Sequence, residues 1–309
     1  MIEAVGLTKR YGSTLAVDGL SFVARKGLVT GFLGPNGAGK STTMRMIVGL
    51  DAPNAGRVSV NGRPYSDLRF PLREVGALLE AKAIHPGRSA RNHLLWLAEA
   101  NGIGRRRVDQ VLEEVGLASV ARRRSGSFSL GMGQRLGIAA ALLGDPEVVV
   151  LDEPVNGLDP EGILWVRTLL RSLAAEGRTV FVSSHLMSEM SLTADHLVVI
   201  GRGHLIADAS VSEFIRSSSA NHVKVVSPQA AALKDRIEQG GGSAVVDGDE
   251  TLVVTGLDCR EVGTLAAEAA LTLYELSPQN ASLEEAFMEM TRDSAEFLGE
   301  AQTAGPVRP

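Results

Sequence analysis

The sequence predicts an α/β protein, a mainly parallel sheet covered by helices on both faces, followed by a small α+β unit. Three observations predict it. The runs VVVLDEP (from Val148) and TVFVSSH (from Thr179) are apolar almost to their ends and are separated by the helix-like ILWVRTLLRSLAAEG. Uniformly apolar strands alternating with helices belong to a parallel sheet buried on both sides. The run LVTGFL (Leu28–Leu33) passes through a glycine-rich turn into the helix-like STTMRMIVGL, a further strand–helix unit. Beyond RSSSAN (Arg216–Asn221) the order changes to β-α-β-β-α-β, which is the ferredoxin-like order.

Taken along the chain, Ile2–Leu7 and Leu20–Ala24 alternate as strands, and NAGRVSVN (Asn54–Asn61) reads as a hairpin bounded by Gly56 and Gly62. From about Pro86 to Leu143 apolar residues recur at helical spacing, through HLLWLAEA and RVDQVLEEVGL. After the composition shift come HVKVV, a helix from Gln229 to Gln239, a hairpin in GSAVVDGDETLVVTG, a helix near Arg260–Ala270, and LTLYEL. The final helix SLEEAFMEMT places Leu283, Ala286 and Phe287 on one face, as a core would require. These readings divide the chain into residues 1–215, a linker at 216–221, a second domain at 222–292, and a tail from Asp293 expected to be disordered.

Bulk composition narrows the function. The chain has 309 residues, 44% apolar and 22% charged, with a net charge of −5. That balance gives no general attraction for nucleic acid, and Arg105–Arg107 and Arg122–Arg124 read as solvated helix ends. The single cysteine, Cys259, excludes an internal disulfide framework and fits a reducing compartment. The start, MIEAVGLTKRYG, has no apolar run of signal-peptide length. No stretch approaches the ~20 apolar residues of a membrane span; Ile138–Leu143 and Val148–Leu151 are too short.

Four strings carry chemistry. GPNGAGKST, comprising Gly34, Pro35, Asn36, Gly37, Ala38, Gly39, Lys40, Ser41 and Thr42, is the phosphate-loop pattern between a strand and a helix. Its glycines let N–H groups converge on phosphate oxygens, Lys40 reaches the β- and γ-phosphates, and Ser41 offers a hydroxyl to Mg²⁺. In VVVLDEP, Asp152 stands at the carboxyl end of a strand, where open α/β sheets bind ligands, and can hold Mg²⁺. Its neighbour Glu153 can polarise water as a general base. His185 ends another apolar strand and falls on the same edge, where it could touch a γ-phosphate or serve only as a structural hydrogen-bonder. The fourth string, FSLGMGQRLGIA from Phe128, is a glycine-rich loop opening a helix, again suited to an anion.

A phosphate loop, a helical insertion, FSLGM, VVVLDEP, NGLDP and SSH, in that order, resemble the nucleotide-binding subunit of an ABC transporter from Met1 to about Ile215. The resemblance implies a P-loop ABC cassette with antiparallel β and helical subdomains, using ATP and Mg²⁺. It implies a homodimer that sandwiches two ATP molecules, in which Ser129 and Gly131 complete the partner's site. It further implies that Tyr11 stacks on adenine, that Glu153 and His185 serve catalysis, that Asp152 and Glu80 attend the metal, and that Asp159 in NGLDP couples the two sites. Two positions depart from the family pattern: Leu130 and Met132 replace small or polar signature residues, and Glu80 replaces a glutamine.

SLGM, LLE and the terminal LEEAF-type helix are similar to subunits of drug and antibiotic exporters such as daunorubicin and bacitracin self-resistance pumps. The implied function is an ATPase at the cytoplasmic face of the membrane, powering a separately encoded membrane-spanning permease, with no nucleic acid bound. A soluble ABC-type ATPase acting on ribosome or DNA is the alternative, but the chain has one phosphate loop and no coiled-coil insertion. A small-molecule kinase would need neither Glu153 nor the second glycine loop. The last domain reads as a packing or dimerisation unit rather than a ligand sensor.

Overall fold

The structure is a computed structural model; it describes residues 1–80 and 84–295, with side chains as far as Arg292. Its described residues divide into two compact units, Met1–Val211 together with residues 291–295, and Ser212–Met290.

The first unit runs β1 (Ile2–Tyr11), β2 (Thr14–Ala24), β3 (Val29–Leu33), α1 (Lys40–Ile47), β4 (Ala55–Val60), α2 (Pro71–Glu74) and β5 (Val75–Leu78). It continues through α3 (Ala90–Ala100), α4 (Arg105–Glu114), α5 (Leu130–Leu142), β6 (Val148–Leu151), α6 (Pro160–Ala175), β7 (Thr179–Ser183), α7 (Met187–Thr193), β8 (His196–Gly201) and β9 (His204–Ser210). Its main sheet has the order β5-β6-β7-β3-β8-β9. The first five strands of that order are parallel, and β9 pairs antiparallel with β8. Every residue of β3, β6 and β7 is buried, which is why these strands are continuous apolar runs rather than alternating ones. Because β6, β7 and β3 are neighbours, the residues that follow them come out along one sheet edge.

A second sheet, β2-β1-β4, is antiparallel and packs on the first through aromatic rings. Phe22 of β2 lies 5.7 Å from Phe32 of β3 and 5.4 Å from Phe181 of β7, centroid to centroid. All three rings are buried, and burial of each contributes about 1.5–3 kcal/mol. Here the local reading of Asn54–Asn61 fails. The segment is not a hairpin but one strand, β4, whose partner is β1, far away in the chain (Ile2↔Val60, Ala4↔Val58). Only the exit turn is hairpin-like: Asn61 and Gly62 both have positive φ, and Val60 bridges to Arg63.

The second unit contains most of α8 (Val211–Arg216), then β10 (His222–Val226), α9 (Ala230–Gln239), β11 (Ser243–Val246), β12 (Thr251–Thr255), α10 (Cys259–Glu268), β13 (Glu275–Gln279) and the start of α11 (Leu283–Ala295). Its four strands form an antiparallel sheet in the order β11-β12-β10-β13. The core joins Val225, Leu252 and Val254 of the sheet to Leu233, Ile237 and Val262 of the helices. A capping box between Asp258 and Glu261 starts α10. Leu283, Ala286 and Phe287 are buried.

Three boundaries differ from the sequence reading. The units divide at Val211/Ser212, ahead of the linker expected at 216–221. Those linker residues are tied down instead: the Asn221 amide donates to the Ile215 and Ser218 carbonyls, and Ser218 Oγ donates to Glu289. The last strand is Glu275–Gln279 rather than LTLYEL, because the register with β10 (Val226↔Glu275) begins only there. α11 continues through Ala295, so residues 293–295 of the expected tail are helical; 296–309 lie outside the described residues.

Candidate active site

The edge formed by β6, β7 and β3 opens into a cleft of about 310 Å³, lined by Ala16, Asn36, Gly37, Gly39, Lys40, Ser41, Thr42, Asp152 and Glu153. Gly39 marks where the loop turns into α1. It has φ +102°, and a Cβ there would meet the Ala16 carbonyl oxygen at 2.5 Å. Only glycine lets the loop lie this close to β2. Ala16 therefore belongs to the wall of the cleft, though nothing in its own string announces it.

Lys40 turns its ammonium back over the loop and donates to the Gly34 carbonyl at 2.6 Å and the Pro35 carbonyl at 3.2 Å. Burial pushes its pKa below the ordinary lysine value, and the carboxylates of Glu153 and Asp152 oppose that shift. Ala38 is buried and contributes backbone, its N–H donating to the Pro35 carbonyl. Ser41 Oγ donates to Asp152 Oδ2 at 2.8 Å, which joins the first turn of α1 to the end of β6. A hydroxyl and a carboxylate side by side are hard oxygen donors, the kind Mg²⁺ takes.

Asp152 and Glu153 are fixed by a residue the sequence did not single out. Ser183, at the end of β7, donates its hydroxyl to Asp152 Oδ1 and accepts the Glu153 N–H at 2.9 Å. Gln134 of α5, almost fully buried, donates through Nε2 to the Glu153 carbonyl at 3.0 Å. Glu153 itself has φ +51°. A side chain in that left-handed region costs about 1–2 kcal/mol and persists only where neighbours determine the backbone from both sides, as Ser183 and Gln134 do. The strained turn aims the carboxylate at His185, with Nδ1 to Oε2 at 2.7 Å and a further bond from the His185 N–H at 3.3 Å. A polar residue facing an acid pair from a neighbouring strand was the available signal for Ser183; Gln134 had only its place in a buried helix.

Tyr11 lies on the rim. Its hydroxyl is in hydrogen-bonding reach of Thr42 and donates to Asp51 at 2.8 Å. The Asp51 carboxylate raises the phenol's pKa, and the residue is 46% exposed. Lys9 Nζ lies 5.0 Å from the ring centroid.

Other expected site residues stand apart from this cleft. Ser129 caps α5, its Oγ accepting the Met132 N–H at 3.2 Å, and opens on a separate hollow with Pro86, Phe128 and Leu130. Gly131 packs beside Leu158 and the Gly157 carbonyl. Asp159 caps α6 by accepting the Gly162 N–H at 2.9 Å. Glu80, just beyond β5, is exposed and is not among the residues lining the cleft.

Residues 17–156, which span the loop, the α5 cap and the acid pair, match the family described as ABC transporter. The bacitracin transport ATP-binding protein BcrA of Bacillus licheniformis is 44% identical over 211 residues, covering 67% of this chain and 69% of that one. The chain belongs to the ATP-binding proteins of ABC transporters. The resemblance seen in the motifs thus holds for the chain as a whole: the Nod factor export ATP-binding protein I of Burkholderia orbicola is 36% identical over 298 residues, 94% of this chain and 96% of its own. A solved ATP-binding subunit of an ABC transporter superimposes with a TM-score of 0.64 at 28% identity, over 70% of this chain and 92% of that one. Residues 221–284 match a domain of unknown function (DUF8746). This ABC cassette is accordingly a nucleotide-binding ATPase, and no helix among its described residues is long and apolar enough to cross a membrane.

Proposed function

We propose that the protein is the ATP-hydrolysing subunit of an exporter, working at the cytoplasmic face of the membrane on a separately encoded permease that moves antibiotics or other amphipathic compounds. The export of such compounds is read from the relatives, whose names specify bacitracin transport and Nod factor export. One observation carries the hydrolytic part: the Glu153 carboxylate is held by His185 at 2.7 Å beside a cleft that also contains Lys40 and the Ser41–Asp152 pair.

In the mechanism, backbone N–H groups of Gly37–Thr42 and the Lys40 ammonium bind the β- and γ-phosphates, and Tyr11 offers its ring to adenine. Ser41 and Asp152 would hold Mg²⁺, with Glu80 approaching from β5; the ion would supply charge neutralisation at the phosphates. Glu153 orients the attacking water and accepts its proton, while His185 fixes the Glu153 carboxylate and reaches toward the γ-phosphate. Ser129 and Gly131 stand outside their own cleft, an arrangement that supports their serving the site of a second copy in a homodimer. Asp159, at the start of α6, would lie at that dimer interface. Loss of the γ-phosphate removes the charge that joins the copies, and the dimer reopens.

Phosphate release tests the assignment. Glu153→Gln should lower turnover about 10²–10⁴-fold, the range for removing a general base, while leaving ATP binding intact and accumulating an ATP-bound dimer. Equal rates in both proteins would sink the catalytic role. Gentle solubilisation of native membranes followed by mass spectrometry should recover a partner with several apolar spans; recovery of ribosomal proteins alone would refute the transport reading.

A further inference from the structure

Tyr11 ends β1 and Asp51 follows α1, forty positions away, yet the two side chains are hydrogen-bonded. The chain reaches that contact through the end of α1, which closes in a Schellman turn. Leu50 N–H donates to the Arg45 carbonyl at 2.9 Å, Gly49 N–H donates to the Met46 carbonyl at 3.2 Å, and Gly49 has φ +68°. The turn folds Asp51 back on its own helix, where its carboxylate accepts from Arg45 Nε at 2.6 Å. The same oxygen, Oδ2, accepts the Tyr11 hydroxyl at 2.8 Å. The next residue adds a second hold. The Ala52 carbonyl accepts from Lys9 Nζ at 2.7 Å, and that ammonium lies over the Tyr11 ring, 5.0 Å from its centroid. Two residues on, Asn54 closes the segment onto β1. Its N–H donates to the Thr8 carbonyl at 2.8 Å, and its Oδ1 accepts the Arg10 N–H at 2.7 Å.

Tyr11 is thus held at its hydroxyl and over one face of its ring, while the residue stays 46% exposed. Fold stability does not account for that arrangement. Exposed pairs of this kind contribute little, and fixing an exposed side chain costs rotamer entropy. What the hold gains is preorganisation: a ring already immobilised costs a ligand nothing further to order. Aromatic rings take nucleobases by stacking, and the Lys9 ammonium leaves a base the opposite face. α1, which carries Arg45 in its last turn, begins with Lys40, Ser41 and Thr42 of the phosphate loop. One helix therefore fixes the phosphate-binding end and, through Arg45 and Asp51, the tyrosine.

We propose that Asp51, held by Arg45, is a positioning residue for nucleotide recognition. It locks Tyr11 in the orientation that stacks on the base, and so sets affinity for the base without touching the nucleotide. This rests on the reading of Tyr11 as the adenine-stacking residue. Loss of the lock leaves a mobile ring that the nucleotide must order on binding, at a cost of about fivefold in affinity.

The test compares two ligands of the purified full chain, titrated calorimetrically with Mg²⁺ present. ADP carries the base and is not hydrolysed; inorganic pyrophosphate offers the phosphates alone. Asp51→Ala should bind ADP about fivefold more weakly than the wild type, and pyrophosphate equally well. Tyr11→Phe, which removes only the hydroxyl, should show the same pattern. The double variant Y11F/D51A should lose no more than either single one, since each removes the same contact. Tyr11→Ala should lose about tenfold or more in ADP affinity, the range for removing a stacked ring. Unchanged ADP affinity in Asp51→Ala, or losses that add in the double variant, would overturn the proposal. So would an equal loss for ADP and pyrophosphate, which would mark Asp51 as a support of α1 alone. Weaker ADP binding by Tyr11→Ala beside normal binding by Asp51→Ala would refute the lock and leave the stacking reading standing. Full ADP affinity in Tyr11→Ala would remove that reading, and the proposal with it.

Discussion

Glu153 and Gly157 show how single backbone positions set up the chemistry. The acid sits at φ +51° because its N–H and carbonyl are both captured, while Gly157, four residues on, has φ +72° and lies under the Leu130 side chain. A Cβ on Gly157 would come within 2.1 Å of Leu130 Cδ2. Leu130, a departure from the usual small signature residue, is thus accommodated by an empty position in the NGLDP loop. Gly157→Ala should lower the thermal midpoint, at a cost of about 1–3 kcal/mol from the left-handed backbone and the clash together. Adding Leu130→Ala should restore the steric part and leave the backbone part. A Gly157→Ala protein that melts with the wild type would show that the contact does not constrain the loop.

Among elements, α5 matters beyond its cap. It is the helix opened by Ser129, and one turn further on Gln134 reaches the Glu153 carbonyl. The anion-binding loop and the acid turn are therefore mechanically joined within one chain. Gln134→Leu keeps the side chain's bulk but leaves a partly buried carbonyl without a donor, costing about 1–3 kcal/mol. Since Lys40 and its loop are untouched, kcat for ATP should fall while KM changes little; steady-state kinetics will separate the two. A raised KM with unchanged kcat would mean that Gln134 supports binding rather than the acid.

At the scale of the whole molecule, the second unit has a core of its own, with Val225, Leu233, Ile237, Leu252, Val254 and Val262 each fully buried. A fragment spanning Ser212–Met290 should therefore fold independently and unfold cooperatively on heating or in denaturant. Far-UV circular dichroism of a broad, uncooperative transition would contradict that. In the full chain, ATP at about a hundred times its Kd should stabilise the first unit by about 2.7 kcal/mol, so nucleotide should raise the midpoint of the transition that contains the phosphate loop.

The sequence by itself determined the parallel strands, the phosphate loop, the acid pair and the order of motifs that marks the ABC cassette. Each of these is a local string whose chemistry depends on residues a few positions apart. It could not determine contacts whose partners are distant in the chain. Asn54–Asn61 looks like a hairpin until β1 claims it as a strand, and Ala16, Ser183 and Gln134 become part of the site only when β2, β7 and α5 converge on the sheet edge. Residues 121–125 likewise meet residues 88–91 only through backbone pairing between distant segments. Periodicity and motif spacing report what a segment wants to bury or bind. Which other segment meets it is decided by packing of the whole chain, where nonlocal hydrogen bonds and buried rings outweigh local preference.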